Sequence, residues 1–223
     1  MLGAIVFDFD GVIANSEPLH FRAYRDVLLP RGVTLGESDY YGRYLGYDDY
    51  GAFAAIGRDH RCEWSNAQID ELIALKAARM IVLEQDASVL FPGAADAVRA
   101  AASAVPIAIA SGALGSEIRR VLDHAQLTRY FAAIVAAEDT PVSKPAPDPY
   151  LKAVALITSV IGPIDAGSCV AIEDSHWGLQ SARTAGLKTV GVAQTYPAES
   201  LAPADLVIPS MTAFDLDALR SLF

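Results

Sequence analysis

Short apolar runs recur along the chain, and between them apolar positions fall three and four residues apart. The short runs predict buried strands near Ala4–Phe9, Pro106–Ala110, Ala133–Ala136, Cys169–Ile172 and Thr189–Val192, with a weaker one at Leu206–Ile208. The helical spacing predicts helices near Gly93–Ser103, Ser116–Ala125, Pro149–Ile161 and Ser175–Ala185. Strands that alternate with helices predict an α/β fold: a doubly wound, mostly parallel sheet with helices on both faces.

The stretch between the first and second strands is too long for one crossover helix. Residues 16–90 hold no convincing strand and predict helices at Pro18–Leu29, near Tyr40–Leu45, near Asp49–His60 and at Asn66–Glu84. The last is the clearest. Ser65 and Gln68 have the spacing of a capping box, and Ile69, Leu72, Ile73, Met80 and Leu83 form an apolar stripe. The reading is a helical domain, 16–90, inserted into a core made of 1–15 and 91–223. Its connections fall near Ala14–Ser16 and Ala87–Pro92, adjacent enough to serve as a hinge.

At 223 residues and 52% hydrophobic, the chain is long enough to bury a sizeable core. A net charge of −10 argues against nucleic acid as a partner and leaves an anionic ligand in need of local help. Only four lysines occur, at 76, 144, 152 and 188, so a lysine in a site stands out. Cys62 and Cys169 lack metal-ligand spacing and read as reduced thiols of a cytoplasmic protein. The amino terminus has no basic segment, and its apolar run breaks at Asp8. Neither a signal peptide nor a membrane span is expected.

The candidate chemistry falls where the predicted strands end. The first runs into Phe7-Asp8-Phe9-Asp10-Gly11, two carboxylates two residues apart. Residues at i and i+2 of a strand share a side, and like charges so close call for a cation or a shared proton. An Asp-rich turn, with Gly11 at positive φ, is the plainer alternative. The second strand ends in Ser111-Gly112 before a helix, which suits either a phosphate or an ordinary cap. Ser143-Lys144-Pro145-Ala146-Pro147-Asp148-Pro149 holds a lysine in a stiff loop, with Asp148 and Pro149 placed to open a helix. The fourth strand ends in Ile172-Glu173-Asp174-Ser175, where Asp174 or Ser175 can also cap the next helix. Together Asp8, Asp10, Glu173 and Asp174 make a hard-oxygen set suited to Mg²⁺, faced by Ser111 and Lys144.

Phe7–Glu17, Ala110–Gly112, Ser143–Tyr150 and Ile172–Gly186 resemble the four motifs of the haloacid dehalogenase superfamily, in order. The likeness spans nearly the whole chain and is nearest to the branch of β-phosphoglucomutase and sugar-phosphate phosphatases. It implies a Rossmann-like core with the insertion as its cap. It implies Asp8 as nucleophile, Asp10 as acid and base, and Ser111 and Lys144 as groups that hold the phosphoryl. It implies Mg²⁺ held by Asp8, the backbone carbonyl of Asp10 and Asp174, with Glu173 as ligand or just behind. The presence of Asp10 separates the chain from the superfamily's dehalogenases and phosphonate hydrolases, which replace that residue.

His20 and Lys76 match cap residues of β-phosphoglucomutase, and Gly46, Gly112 and Ser111 complete the expected substrate-binding set. The departures point elsewhere. The mutases grip a second phosphate with basic residues, whereas here the loops read Tyr44-Leu45-Gly46-Tyr47-Asp48-Asp49-Tyr50 and Ser111-Gly112-Ala113-Leu114. The expectation is therefore a Mg²⁺-dependent phosphatase of a small phosphate monoester. A phosphosugar mutase and a catalytically silent phospho-ligand-binding regulator are the alternatives. Tyr40, Tyr41, Tyr44, Tyr47 and Tyr50 either stack on a ligand or pack between helices. The expected partner is a small phosphorylated metabolite, with neither nucleic acid nor membrane involved, and the chain is expected as a monomer or weak dimer.

Overall fold

The computed structural model describes residues 1–45, 47–85 and 89–223. The chain forms two compact units, Met1–Asn15 with Val89–Phe223, and Ser16–Ser88. In chain order the elements are β1 (Ala4–Phe7), α1 (Glu17–Leu28), α2 (Glu37–Asp39), α3 (Asp49–Asp59), α4 (Asn66–Gln85), α5 (Ala94–Ala104), β2 (Ile107–Ala110), α6 (Gly115–His124), β3 (Phe131–Val135), α7 (Asp148–Ile161), β4 (Cys169–Glu173), α8 (His176–Thr184), β5 (Lys188–Val192), β6 (Leu206–Ile208) and α9 (Leu216–Arg220). Among the described residues no helix is long and apolar enough to cross a membrane.

The first unit is built on one parallel sheet of order β3-β2-β1-β4-β5-β6. Its strands are short and apolar throughout because helices cover both faces. On one face Ala4, Val6, Ala108, Ala110, Cys169 and Ala171 pack with Tyr150, Ala153 and Ile157 of α7 and Ala182 of α8. The small side chains let these helices lie close to the strands. On the other face Phe7 meets Phe131 edge-on, ring centroids 6.4 Å apart, and Phe214 at 6.2 Å. The chain leaves this unit and returns side by side. Asn15 N–H donates to the Val89 carbonyl at 2.6 Å, and Phe91 N–H to that of Ile13 at 3.0 Å. Val89 and Leu90, read from sequence as part of the insertion, belong here.

The second unit is helical. Pro18 sits in the first turn of α1, and Gly32, at φ +79°, ends the short turn that follows it. Asp48 caps α3 by accepting the Gly51 N–H at 2.7 Å. The capping box of α4 forms: Ser65 N–H donates to Gln68 Oε1 at 2.9 Å, and Gln68 N–H to Ser65 Oγ at 3.4 Å. Ile69, Leu72, Met80 and Leu83 are buried on the expected stripe, and Lys76 is buried on it too. Tyr40–Tyr44, read as a helix piece, is a single wide π-helical turn following α2. Tyr40 and Tyr44 are buried while Tyr47 and Tyr50 are exposed. Tyr24 meets Phe53 at 4.9 Å and Tyr40 at 5.6 Å, an aromatic seam between helices.

Two local expectations shift. β1 stops at Phe7 rather than Phe9, because Asp8 and the residues after it turn into a loop closed by Ile13 and Ala14 N–H groups on the Phe9 carbonyl. In α7 the caps move by one residue: Pro147 is the N-cap, and Asp148 and Pro149 are already helical. Phe7 is fully buried at the point where the sheet meets this loop. Phe7→Ala should cost about 3–5 kcal/mol of stability. The check is a lower denaturant midpoint at unchanged slope.

Candidate active site

In the order β3-β2-β1-β4-β5-β6 the direction of progress along the sheet reverses between β1 and β4. Ligands of open α/β sheets bind beyond the carboxyl ends of strands at such a point. Asp8 follows β1 there, its N–H donating to the Ile172 carbonyl at 2.9 Å. Glu173 ends β4 and Asp174 follows it. Adjacent parallel strands thus bring three acids together from distant parts of the sequence.

Lys144 Nζ lies 2.9 Å from Asp8 Oδ1 and 2.6 Å from Glu173 Oε1. Its loop is fastened to α8 by the Ser181 hydroxyl, which donates to the Ala146 carbonyl at 2.5 Å. Glu173 is fully buried and takes five donors. Lys144 and the Tyr150 hydroxyl (3.0 Å) share Oε1. The Asp174 N–H, Ser175 N–H and Ser175 hydroxyl share Oε2 at 3.0–3.1 Å. Its carboxylate therefore anchors the lysine and the turn into α8. Ser175 also caps α8 by accepting the Gly178 N–H at 3.1 Å. Gly178 has no side chain because Glu173 fills the space: a Cβ there would lie 1.7 Å from Oε1.

Gly11, at φ +78°, fills the same role against Asp174, whose Oδ2 would lie 1.9 Å from a Cβ. The Gly11 loop is gripped from β5. Gln194 Nε2 donates to the Gly11 and Val12 carbonyls at 2.8 and 3.1 Å, and its Oε1 accepts the Met211 N–H at 3.2 Å. Thr195 hydrogen-bonds the Asp174 carboxylate. Tyr150, Gln194 and Thr195 were not singled out from the sequence. The signal for the latter two was their position just past the carboxyl end of β5, on the same edge of the sheet as the acids that follow β1 and end β4.

Ser111, at the end of β2, is buried, and its Oγ accepts the Ala113 N–H at 3.0 Å, which leaves its hydroxyl proton as donor. Gly112 beside it is exposed, with open space where a side chain would be. The start of α6 is less available to an anion than expected. The Gly115 N–H already donates to the Glu138 carboxylate at 3.1 Å, and the Leu114 N–H to Glu117 at 3.3 Å. Asp10 is half-buried in the Gly11 loop, and its charge reaches Asp174, but its carboxylate is not part of the close acid cluster. His176 and Trp177 stack on each other, with Trp177 exposed.

The electrostatics are those of a cation site. Carboxylate oxygens of Asp8, Glu173 and Asp174 lie within 4.8 Å of one another. Three buried acids face one ammonium. Burial and the Glu173 charge raise the Asp8 carboxyl well above the carboxylate range, with Lys144 opposing. The same two causes push Asp174 up to about 7, with Thr195 and Lys144 opposing. The Lys144 ammonium is held charged by Asp8 and Glu173 against its burial. A hard-oxygen set with surplus negative charge fits a divalent metal ion, which would replace the protons these acids otherwise retain.

The insertion's candidates form a group of their own within the second unit. Lys76 Nζ lies 2.9 Å from His20 Nδ1 and also bonds Asp49. His20 is held down to about 3 by burial and the Lys76 charge, so its ring is neutral. Tyr40 and Tyr44 spend their hydroxyls on Glu17 and Asp59. Gly46 lies outside the described residues, as do Ala87 and Ser88 of the second expected connection.

Residues 2–186 match the family described as haloacid dehalogenase-like hydrolase. Hexitol phosphatase B of Escherichia coli (strain K12) is 30% identical over 220 residues, 96% of each chain. Fructose-1-phosphate phosphatase YqaB of the same organism is 31% identical over 198 residues, 84% of this chain and 95% of that one. The crystal structure of CbbY from Rhodobacter sphaeroides in complex with phosphate aligns with a TM-score of 0.83 at 25% identity, over 99% of this chain and 100% of that one. Sheet order, acid cluster and sequence agree: the chain belongs to the haloacid dehalogenase-like hydrolases, in the branch of the sugar-phosphate phosphatases and β-phosphoglucomutase.

Proposed function

We propose that the protein is a Mg²⁺-dependent phosphatase that hydrolyses a small phosphate monoester, a sugar phosphate or related metabolite, through an aspartyl-phosphate on Asp8. The observation that carries the reading is the Lys144 ammonium, 2.9 Å from Asp8 Oδ1 at the carboxyl end of β1. The names of two relatives, a hexitol phosphatase and a fructose-1-phosphate phosphatase, support the substrate class.

In this reading an Asp8 oxygen attacks phosphorus and the ester P–O bond breaks. Asp10 gives its proton to the leaving oxygen. Asp10 then takes a proton from water, the water oxygen attacks phosphorus, and the bond to Asp8 breaks to release inorganic phosphate. Lys144 offsets the repulsion between the Asp8 carboxylate and the phosphoryl oxygens, and the Ser111 hydroxyl and Gly112 hold one of those oxygens. Asp8, Asp174 and the Asp10 backbone carbonyl would hold Mg²⁺, with Glu173, already engaged by five donors, behind them. When bound, the metal supplies Lewis-acid neutralisation of phosphoryl charge. His20, Lys76 and Gly46 are the insertion's contribution to substrate binding.

A mutase must hold one phosphate while the other reacts. Leu45, Tyr47, Asp48, Asp49, Tyr50 and Leu114 supply no cation where the mutases have them. A phosphatase needs no such grip.

Asp8→Asn should keep the fold and cut turnover of a generic aryl phosphate by about four orders of magnitude or more. Circular dichroism and phosphate release check the two halves, and retention of a tenth of wild-type activity rejects Asp8 as nucleophile.

Chelation should silence the enzyme, and Mg²⁺ should restore it. Asp174→Ala should raise the Mg²⁺ concentration for half-maximal rate or abolish activity. Full activity in excess EDTA overturns the metal requirement.

With β-glucose 1-phosphate and a trace of the 1,6-bisphosphate, the products should be inorganic phosphate or none. Efficient formation of glucose 6-phosphate would establish the mutase instead.

A further inference from the structure

The turn that carries Asp10 is built around a glycine with no room for a side chain. Gly11 sits at φ +78°, and Asp174 Oδ2 would lie 1.9 Å from a Cβ there. Space for that acid leaves the residue after Asp10 without the side chain that would narrow its backbone freedom. The turn's own hydrogen bonds hold part of it. The Gly11 N–H donates to the Ala14 carbonyl at 2.9 Å, and the Ile13 N–H to that of Phe9 at 2.8 Å. The Gly11 and Val12 carbonyls are held from outside the turn, by Gln194.

The Gln194 amide is matched to this task at both ends. Nε2 has two N–H donors and spends them on the Gly11 carbonyl at 2.8 Å and the Val12 carbonyl at 3.1 Å. Oε1 accepts the Met211 N–H at 3.2 Å. The reverse orientation would set an oxygen against two carbonyl oxygens, so the partners fix which end is which. The backbone behind the amide is anchored too. The Ala193 N–H donates to the Ile208 carbonyl of β6 at 2.9 Å, and the Gln194 N–H to the Val192 carbonyl of β5 at 3.0 Å. Thr195, the next residue, hydrogen-bonds Asp174. All these residues belong to the first unit. The sheet thus grips the Asp10 turn from β5, at the residue that directly follows Asp10.

We propose that Gln194 is a positioning residue for Asp10: by holding the Gly11 and Val12 carbonyls it fixes the turn, and with it the acid that protonates the leaving oxygen. The inference rests on the reading of Asp10 as acid and base, and adds the residue that keeps it in place. Proton transfer needs donor and acceptor within hydrogen-bond reach, and a misplacement of about 1 Å can cost about a hundredfold in rate. The glycine gives the turn freedom, and the clamp removes it. As the Asp8 oxygen attacks phosphorus and the ester P–O bond breaks, a poorly acidic leaving group must receive the Asp10 proton. An acidic one departs as its anion and is indifferent to where Asp10 stands. Leaving-group acidity therefore reads the position of Asp10 separately from the integrity of the fold.

The test measures kcat/KM of the full-length enzyme at saturating Mg²⁺ on two esters of similar shape. One is phenyl phosphate, whose phenol is as weak an acid as a tyrosine ring. The other is p-nitrophenyl phosphate, whose phenol is far more acidic. Gln194→Met, nearly isosteric and without polar ends, should lose about tenfold more on phenyl phosphate than on p-nitrophenyl phosphate. Gln194→Glu keeps an acceptor for Met211 but sets an oxygen against the two carbonyls. It should show the same selective loss, which assigns the effect to the Gly11 turn. Gln194→Ala serves if Gln194→Met does not fold. Asp10→Asn should show the selective loss in full. Asp215→Ala, which removes the cap of α9, should lower thermal stability and leave the ratio of the two rates alone. Equal losses on the two esters in the Gln194 variants, or none, while Asp10→Asn is selective, overturn the inference and make Gln194 a support of the fold alone. If Asp10→Asn is itself unselective, the reading of Asp10 as the acid fails, and the inference with it. A wild type inactive on both esters rejects the phosphatase reading itself.

Discussion

The Lys144 ammonium is what allows Asp8 and Glu173 to be buried side by side. Glu173 is inaccessible and Asp8 nearly so, at 12% side-chain exposure, and the ammonium between them opposes the burial and the mutual repulsion that raise the Asp8 carboxyl. Breaking such a buried pair typically costs about 3–5 kcal/mol because the surviving charge is left unpaired. The loop that carries the lysine, the hydroxyl of Tyr150 and the turn into α8 all converge on the same Glu173 carboxylate. The scaffold of the site is thus one buried acid that orders its surroundings, and Asp8 shares the cation.

This arrangement explains why glycine stands where it does. Gly11 and Gly178 sit against Asp174 and Glu173 so closely that a methyl group at either would displace a carboxylate. Their absence of side chain is a matter of space for the acids as much as of backbone conformation. In the other unit the same economy of charge recurs on a smaller scale, where Lys76 is buried against an acid, a neutral imidazole and a ring.

Much of this was legible in the sequence, and the reasons are physical. Parallel strands buried on both faces read as unbroken apolar runs, so the sheet was visible, and acids placed at the ends of those runs marked Asp8, Glu173 and Asp174. The α4 capping box was legible because its partners lie three residues apart. What stayed hidden depends on contacts between distant segments. Tyr150 reads as an ordinary core aromatic of α7 until Glu173 is seen against its hydroxyl. Glu138 answers the Gly115 N–H from 23 residues away. Asp49 and Lys76, 27 residues apart, meet only because α3 and α4 pack together. Helix α9, at five residues, is too short to show a period.

The Gln194 side chain joins three places on the chain, since it holds the Gly11 loop with one end and the Met211 backbone with the other. The stretch that matches the family ends at residue 186, and both Gln194 and Met211 lie beyond it. Every acid of the site, and the lysine between them, would survive in a fragment trimmed to that boundary. The clamp on the Gly11 loop that follows Asp8 would not. The carboxyl-terminal segment is in this sense part of the frame that holds the acid cluster, and a domain boundary drawn from motif residues alone would cut through it.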